Sequence, residues 1–258
     1  MRILATADIH SPKYLNRFST LLNKYRDFLK NINLVLIAGD LMERGNIQGL
    51  KNLVLTIRSI TSAPIIACPG NEDYEEVIAQ ARKTIPEVEW LEDSEKEIEI
   101  DSKNVKIIGS RGVLDKPTIW QLKNIKNIYE IYRRRLEYLI STIEKLDDNS
   151  INILLIHYAP TYRTLQGENV KIWKMLGTDK LEKYIANRKM FIIHGHAHKS
   201  NTRLVKIGKS IVLNSSFPEK YCIYVLESCN DSWKIYELSI EGIRDLRFED
   251  KKSILDYV

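Results

Sequence analysis

Three of the five histidines in this 258-residue chain fall within five residues, His194-Gly195-His196-Ala197-His198, directly after the apolar run Met190-Phe191-Ile192-Ile193. The other two, His10 and His157, also follow apolar runs, Arg2 to Ala7 and Ile151 to Ile156. No histidine is left for an ordinary surface position, and imidazole is the commonest side-chain ligand of transition metals, so a metal centre is the first expectation. Two more apolar runs end in Gly39-Asp40 and in Gly70-Asn71-Glu72-Asp73. The groups assembled at these ends are Asp8, His10, Asp40, Asn71, His157, His196 and His198. That set is too large for one tetrahedral ion and suits two five- or six-coordinate divalent ions sharing a group. A carboxylate can bridge, and Asp40, alone on its turn, is the natural bridge. Asn71 adds an oxygen without charge, so two aspartates leave a cation pair a positive surplus even after a bridging hydroxide. Two ions about 4 Å apart lower the pKa of bound water and stabilise both oxygens of an in-line displacement at phosphorus.

The elements that must position these groups follow from periodicity. Residues 2 to 7 read as a buried strand whose alternate side chains would carry Asp8 and His10 to one spot. Leu15, Phe18, Leu21, Tyr25 and Phe28 mark an amphipathic helix, Asn33 to Ala38 a second strand, and Ile47, Leu50, Ile57 and Ile60 a second helix. Pro64 to Cys68 is a third strand. Strand-helix-strand-helix-strand order predicts parallel strands with polar groups at their C-terminal ends, where open α/β sheets bind ligands. After a helix to about residue 82, short runs at 88–91, 97–101 and 105–109 read as antiparallel strands of a second sheet. A helical segment, broken once, covers 115 to 147 and holds Arg133-Arg134-Arg135. That trio reads either as a groove for an anion or as a solvated face with one arginine turned inward. Strands through Ile156 and His194 follow, then four antiparallel strands between 202 and 239 and a mixed tail from 241 to 258. The expected boundaries are one domain over 1–240, a helical cap insertion at 113–148, and the C-terminal tail.

Composition bounds the rest. An apolar content of 44% supports a full core, and a net charge of +5 is too mild to argue for nucleic acid. Cys68, Cys222 and Cys229 form no CxxC pair and suit a reducing, cytoplasmic setting. No signal peptide and no run of eighteen apolar residues is seen, so no membrane partner is expected.

Asp8-Ile9-His10, Gly39-Asp40, Gly70-Asn71, His157 and Gly195-His196-Ala197-His198, in that order, resemble the signature of the calcineurin-like metallophosphoesterases. The resemblance runs from residue 3 to about 215. It implies an α/β fold, a sandwich of two β-sheets flanked by helices in four layers, with two divalent metal ions, manganese foremost and iron, zinc or nickel as alternatives. By position, Asp8, His10, Asp40 and His198 would hold one ion, and Asp40, Asn71, His157 and His196 the other. His194 precedes the motif and is expected to support it from the strand. The family usually reads GNH, whose histidine protonates the leaving group, whereas this chain has Gly70-Asn71-Glu72. Leaving-group protonation would then fall to Glu72 with a raised pKa, to a metal-bound water, or to nothing, while Glu72 serves equally well as a helix N-terminal carboxylate. Arg111 would clamp a phosphate or act as a turn arginine.

The function expected is hydrolysis of phosphomonoesters or phosphodiesters by a metal-bound hydroxide, with Asp40 and Glu72 as its catalytic groups and a phosphate-ester small molecule or nucleotide as partner. The alternatives are a nuclease, for which nucleic acid is the less favoured partner, and a metal-binding scaffold of weak activity. The tail either packs on the body or builds a homodimer.

Overall fold

The computed structural model describes residues 1–229 and 232–246. Its first half builds the expected alternation: β1 (Arg2–Thr6), α1 (Leu15–Lys24), the single turn α2 (Arg26–Leu29), β2 (Leu34–Ala38), α3 (Ile47–Arg58), β3 (Ile65–Cys68) and α4 (Glu75–Thr84). β1, β2 and β3 pair in parallel, Leu4 opposite Val35 and Leu36 opposite Ile66. Because side chains alternate across a strand, Ile3, Ala5, Leu34, Leu36 and Ile66 face one way, while Leu4, Val35, Ile37 and Ile65 face α1, α3 and α4. Asn46 caps α3 by accepting from Gly49 N at 2.8 Å, which fixes where the chain turns back after Asp40.

The middle of the chain departs from the expected pattern. β4 (Val88–Trp90) is not in a second sheet; it pairs in parallel with β3 and closes the edge of the first. β5 (Ser94–Ile100) and β6 (Lys103–Ser110) form the antiparallel hairpin expected, and β6 then pairs in parallel with β7 (Ile151–Ile156). Between them lie α5 (Ile119–Asn124) and α6 (Ile128–Glu144), separated by Asn127 at φ 57°. Thr118 opens α5 with a reciprocal capping box to Gln121, and the helical segment therefore breaks once.

β7 pairs in parallel with β8 (Met190–His194), which follows the single turn α7 (Glu182–Ile185), and β8 pairs in parallel with β10 (Ser210–Asn214). β9 (Leu204–Ile207) lies antiparallel to β10 at the edge, so of the four strands expected to be antiparallel, β10 is parallel on one side. β11 (Ile223–Cys229) returns to β1, and β12 (Ser232–Leu238) and β13 (Ile243–Leu246) extend that edge. The tail thus begins as a strand of the first sheet; Phe248, Leu255 and Tyr257 lie outside the described residues.

The result is a seven-stranded sheet, β13-β12-β11-β1-β2-β3-β4, facing a six-stranded sheet, β5-β6-β7-β8-β10-β9. Inner faces interlock through Ile3, Leu36, Ile107, Leu155 and Ile193, and the outer face of the second sheet packs through Leu154 and Ile192 on Leu139 and Ile143 of α6. This is the four-layer α/β/β/α sandwich. No helix among the described residues is long and apolar enough to cross a membrane.

Candidate metal centre

The C-terminal ends of β1, β2 and β3 in one sheet and of β7 and β8 in the other open onto the same rim. Two trios of ligating side chains meet there: Asp8, His10 and His198, and Asp40, His157 and His196, the candidate atoms within each trio lying within 4.8 Å of one another. Asp40 Oδ2 faces His157 Nε2 at 3.5 Å and His10 Nε2 at 3.7 Å, so this carboxylate stands between the two trios. Asn71 Oδ1 lies 3.1 Å from His157 Nε2. All seven residues singled out in the sequence are therefore brought together.

How they get there differs from an extended strand end. β1 stops at Thr6, and Asp8 (φ 59°) and His10 (φ 42°) both sit in the left-handed region, as do Asp40 (φ 51°) and His196 (φ 67°). Such backbone costs about 1–3 kcal/mol per non-glycine residue and persists only where the surroundings over-determine it. Here a backbone ladder does so: Asp8 N donates to Gly39 O at 3.0 Å, His10 N to Asp40 O at 2.9 Å, and Ser11 N to Leu41 O at 2.9 Å. Two glycines let the turns approach. A Cβ on Gly39 (φ 85°) would strike the His157 ring, and one on Gly70 would strike the Asp40 carboxylate.

Asp73, which the sequence did not single out, holds this framework. Its buried carboxylate accepts from Gly70 N at 2.9 Å, Met42 N at 3.0 Å and Leu41 N at 3.2 Å, tying the turn that carries Asn71 to the turn that carries Asp40. Burial and the neighbouring Asp40 charge push its pKa up to about 6 despite those three donors. Its signal was its place in Gly70-Asn71-Glu72-Asp73 beside a turn that needs donors satisfied.

The donor arrangement fits bound cations. His157 Nδ1–H donates to Ala38 O at 2.9 Å, which turns Nε2 toward Asn71 Oδ1 at 3.1 Å and Asp40 Oδ2 at 3.5 Å. Asp8 Oδ1, His10 Nε2 and His198 Nε2 are buried without a well-formed hydrogen bond, their nearest partners being one another or Asp40, with His198 Nε2 3.4 Å from Asp8 Oδ1 and His10 Nε2 3.7 Å from Asp40 Oδ2, a cluster that a cation would satisfy. Asp8 Oδ2 is held by His196 N at 2.9 Å. The electrostatics agree. Burial disfavours charge on Asp8, yet His198, His157 and His10 outweigh it and hold that carboxyl well below the usual range. Burial also opposes charge on His10, but the Glu72 hydrogen bond and the Asp40 and Asp8 carboxylates push it up to about 9. His198 is raised for the same reason by Asp8, whereas burial and the His157 charge hold His196 well below the ordinary imidazole value. Burial raises Asp40.

Of the roles open to Glu72 in the sequence, proton donor or helix N-terminal carboxylate, the geometry bears on both. Oε2 accepts from His10 Nδ1–H at 3.1 Å and from Arg44 N at 3.1 Å, and the His10 bond, against partial burial, lowers its pKa. Its carboxylate is engaged by the His10 ring and by the Arg44 backbone. Arg111 lies 3.4 Å from Glu92 Oε1 and 3.3 Å from Asp73 O and lines the same cavity as Asn71 and His196. His194 is no ligand: Nδ1–H donates to Gly195 O at 2.8 Å and Nε2 accepts from Thr164 Oγ1 at 2.9 Å, and burial lowers its pKa to about 4. Of the three successive arginines, Arg133 and Arg134 are exposed and paired with Glu130, while Arg135 turns inward to Asp93 and Gly112 O.

A family model described as calcineurin-like phosphoesterase matches residues 1–200. Among solved structures, the chain is similar to a phosphopantetheinyl hydrolase from Mycobacterium tuberculosis, at 13% identity and a TM-score of 0.54 over 84% of this chain and 89% of that one. It is similar to GAP50, described as the anchor in the inner membrane complex of Plasmodium, at 14% identity and a TM-score of 0.60 over 98% and 90% of the two chains. It is also similar to a purple acid phosphatase from yellow lupin (Lupinus luteus) seeds, at 12% identity and 0.60, over 95% of this chain and 52% of that one. At these identities the likeness is one of fold. No curated protein matches the sequence.

Proposed function

Because the chain belongs to the calcineurin-like phosphoesterase family, we propose that it is a metal-dependent hydrolase of phosphomonoesters or phosphodiesters working at a pair of divalent cations. The observation that carries this reading is the meeting of two ligand trios, Asp8, His10 and His198 and Asp40, His157 and His196, with the Asp40 carboxylate standing between them. Asp8, His10, Asp40 and His198 would hold one ion, and Asp40, Asn71, His157 and His196 the other. When bound, such a pair supplies an activated water and positive charge for the phosphoryl oxygens, with manganese the first metal to try.

The chain's own part is positioning. Asp40 shares its carboxylate between the two groups while Glu72 N holds its Oδ1 at 2.7 Å, so the bridge cannot rotate freely. Asn71 contributes an oxygen without cancelling charge that the substrate needs. Arg111 stands at the cavity wall, where its guanidinium can take a phosphoryl oxygen that the cations do not hold. With Glu72 engaged by His10 and Arg44, the leaving group depends on its own acidity, so aryl esters are cleaved better than alkyl esters.

The test is a manganese-supplemented screen of aryl esters, nucleotides and single-stranded nucleic acid, run beside Asp40→Asn. Turnover of an aryl ester that disappears in the variant supports the proposal. Metal bound without turnover of any ester would favour a scaffold, the reading that the engaged Glu72 leaves open. Hydrolysis confined to nucleic acid would favour the nuclease, although Arg133 and Arg134 are already neutralised by Glu130 and Glu137.

A further inference from the structure

We infer that the cavity beside the metal ligands binds the organic part of the substrate, and that this part is a bulky apolar group esterified to phosphate. The inference rests on the phosphoesterase reading and names its substrate class. The cavity has a volume of about 720 Å³, which suits a group of ten or more heavy atoms by comparison with ordinary ligand sites of roughly 300–1,000 Å³. Asn71, Glu72 and His196 form its inner end, so a phosphate held at the cations would point its ester group outward through it.

The walls come from the segment after β6. Leu114, Trp120, Ile125, Ile131 and Tyr132 line them. Leu114, Tyr132 and Tyr158 pack together with Val113 and Ile128 into a small core of their own, which gives the wall a fixed shape. Polar and charged side chains share the cavity: Arg44, Glu75, Glu76, Arg111 and Lys126 also line it and Tyr132 Oη has no hydrogen-bond partner, while Gln121, Asn124 and Arg135 have groups engaged by the protein. Gln121 Oε1 accepts from Thr118 N at 2.9 Å and its Nε2 donates to Tyr158 OH at 3.0 Å. Asn124 Nδ2 donates to Trp120 O at 2.8 Å. Arg135 is committed to Asp93 and to Gly112 O. Against the stretch made by Leu114, Trp120, Ile125 and Ile131, a sugar, peptide or nucleobase edge would leave its own polar groups unpaired, whereas an apolar group loses nothing there.

Trp120 supplies the second observation. Its side chain lines the cavity and is 59% exposed, on the six-residue helix α5. A ligand in the cavity would cover that ring, and truncating a ring so exposed leaves the core intact.

Binding is measured by calorimetry on the manganese-loaded protein with phosphonates, whose C–P bond is not hydrolysed: 1-naphthylphosphonate, octylphosphonate, methylphosphonate and the polar 2,3-dihydroxypropylphosphonate. Naphthyl or octyl is expected to bind at least about tenfold more tightly than either of the other two. The tighter of the pair tells an aromatic group from an alkyl chain. Trp120→Ala and Ile131→Asn should each shrink that ratio severalfold while the number of metal ions bound per chain stays constant, which separates a changed pocket from a damaged centre. Equal affinity of the naphthyl and dihydroxypropyl compounds, or a ratio untouched by both substitutions, overturns the inference. If esters are hydrolysed without preference for apolar groups, the pocket assignment alone falls. If the preference in binding is present but no ester is hydrolysed, the phosphoesterase reading falls and the pocket assignment stands.

Discussion

Removing the Glu72 side chain should weaken the hold on one cation and spare the other. In Glu72→Ala two contacts vanish, His10 Nδ1–H to Oε2 at 3.1 Å and Arg44 N to the same oxygen. The backbone contact from Glu72 N to Asp40 Oδ1 at 2.7 Å remains, so the shared carboxylate keeps its orientation. What is lost is the acceptor that fixes the His10 ring with Nε2 turned inward. Loss of such a supporting partner typically costs 10- to 100-fold in metal affinity, about 1.4–2.8 kcal/mol. Glu72→Gln keeps an acceptor but not the charge, and charge-assisted bonds are roughly twice as strong as neutral ones, so its loss should be about half as large in free energy. The assay is calorimetric titration of chelator-stripped protein with manganese, read as two affinities. The expected result is one site weakened in the order wild type, Gln, Ala, with the second within a few-fold of wild type. A Glu72→Ala isotherm superimposable on that of wild type would falsify the positioning role, and unchanged alkyl-ester turnover in Glu72→His would separately sink the argument that a proton donor is missing.

Gly70→Ala would press a methyl group into the Asp40 carboxylate, so metal content measured by elemental analysis should fall by more than tenfold in protein that still melts cooperatively. Leu155→Ala empties a fully buried position between the sheets and should cost about 2–5 kcal/mol in urea unfolding. Asp115 gives a pH dependence: burial raises its pKa, but Lys180, Tyr162 and Thr178 outweigh burial and hold it below 3.8. A carboxyl depressed by folding contributes stability that is complete above its unfolded value and lost as pH falls through the folded one. The melting-temperature gap between wild type and Asp115→Asn should therefore be constant above pH 5 and close below pH 3.8; a gap that widens on acidification contradicts this.

Much of this was legible because ligand types are rare and strand ends are marked. Histidine occurs five times, and four of the five sit among the converging side chains, so composition alone drew attention to them. The parallel β1-β2-β3 core announced itself through continuous apolar runs, which strands buried on both faces require. The misplacement of β4 has a simple cause. Three residues, Val88-Glu89-Trp90, carry no information about their partner, and the decision falls to the α4 connection, which is long enough to return the chain to β3. β10 looked antiparallel because a tight turn joins it to β9, which is correct on that side; its parallel bond to β8 depends on the long path through residues 195–203. The role of Glu72 was hidden because its chemistry depends on a residue 62 positions away. From the sequence Glu72 could be read as a proton donor or as a helix N-terminal carboxylate; its contact with His10 is made only in the fold.

The candidate metal ligands are divided between the two halves of the sandwich: Asp8, His10, Asp40 and Asn71 leave the seven-stranded sheet, and His157, His196 and His198 leave the six-stranded one. Cations seated among them would act as rivets through the seam where the sheets meet. Each trio draws on both sheets, so the complete pocket comes into being only when the two sheets dock. Ion capture during refolding would then clock that docking, and a chelator would loosen the sandwich first at this rim, far from β5 and β9 at the outer edges.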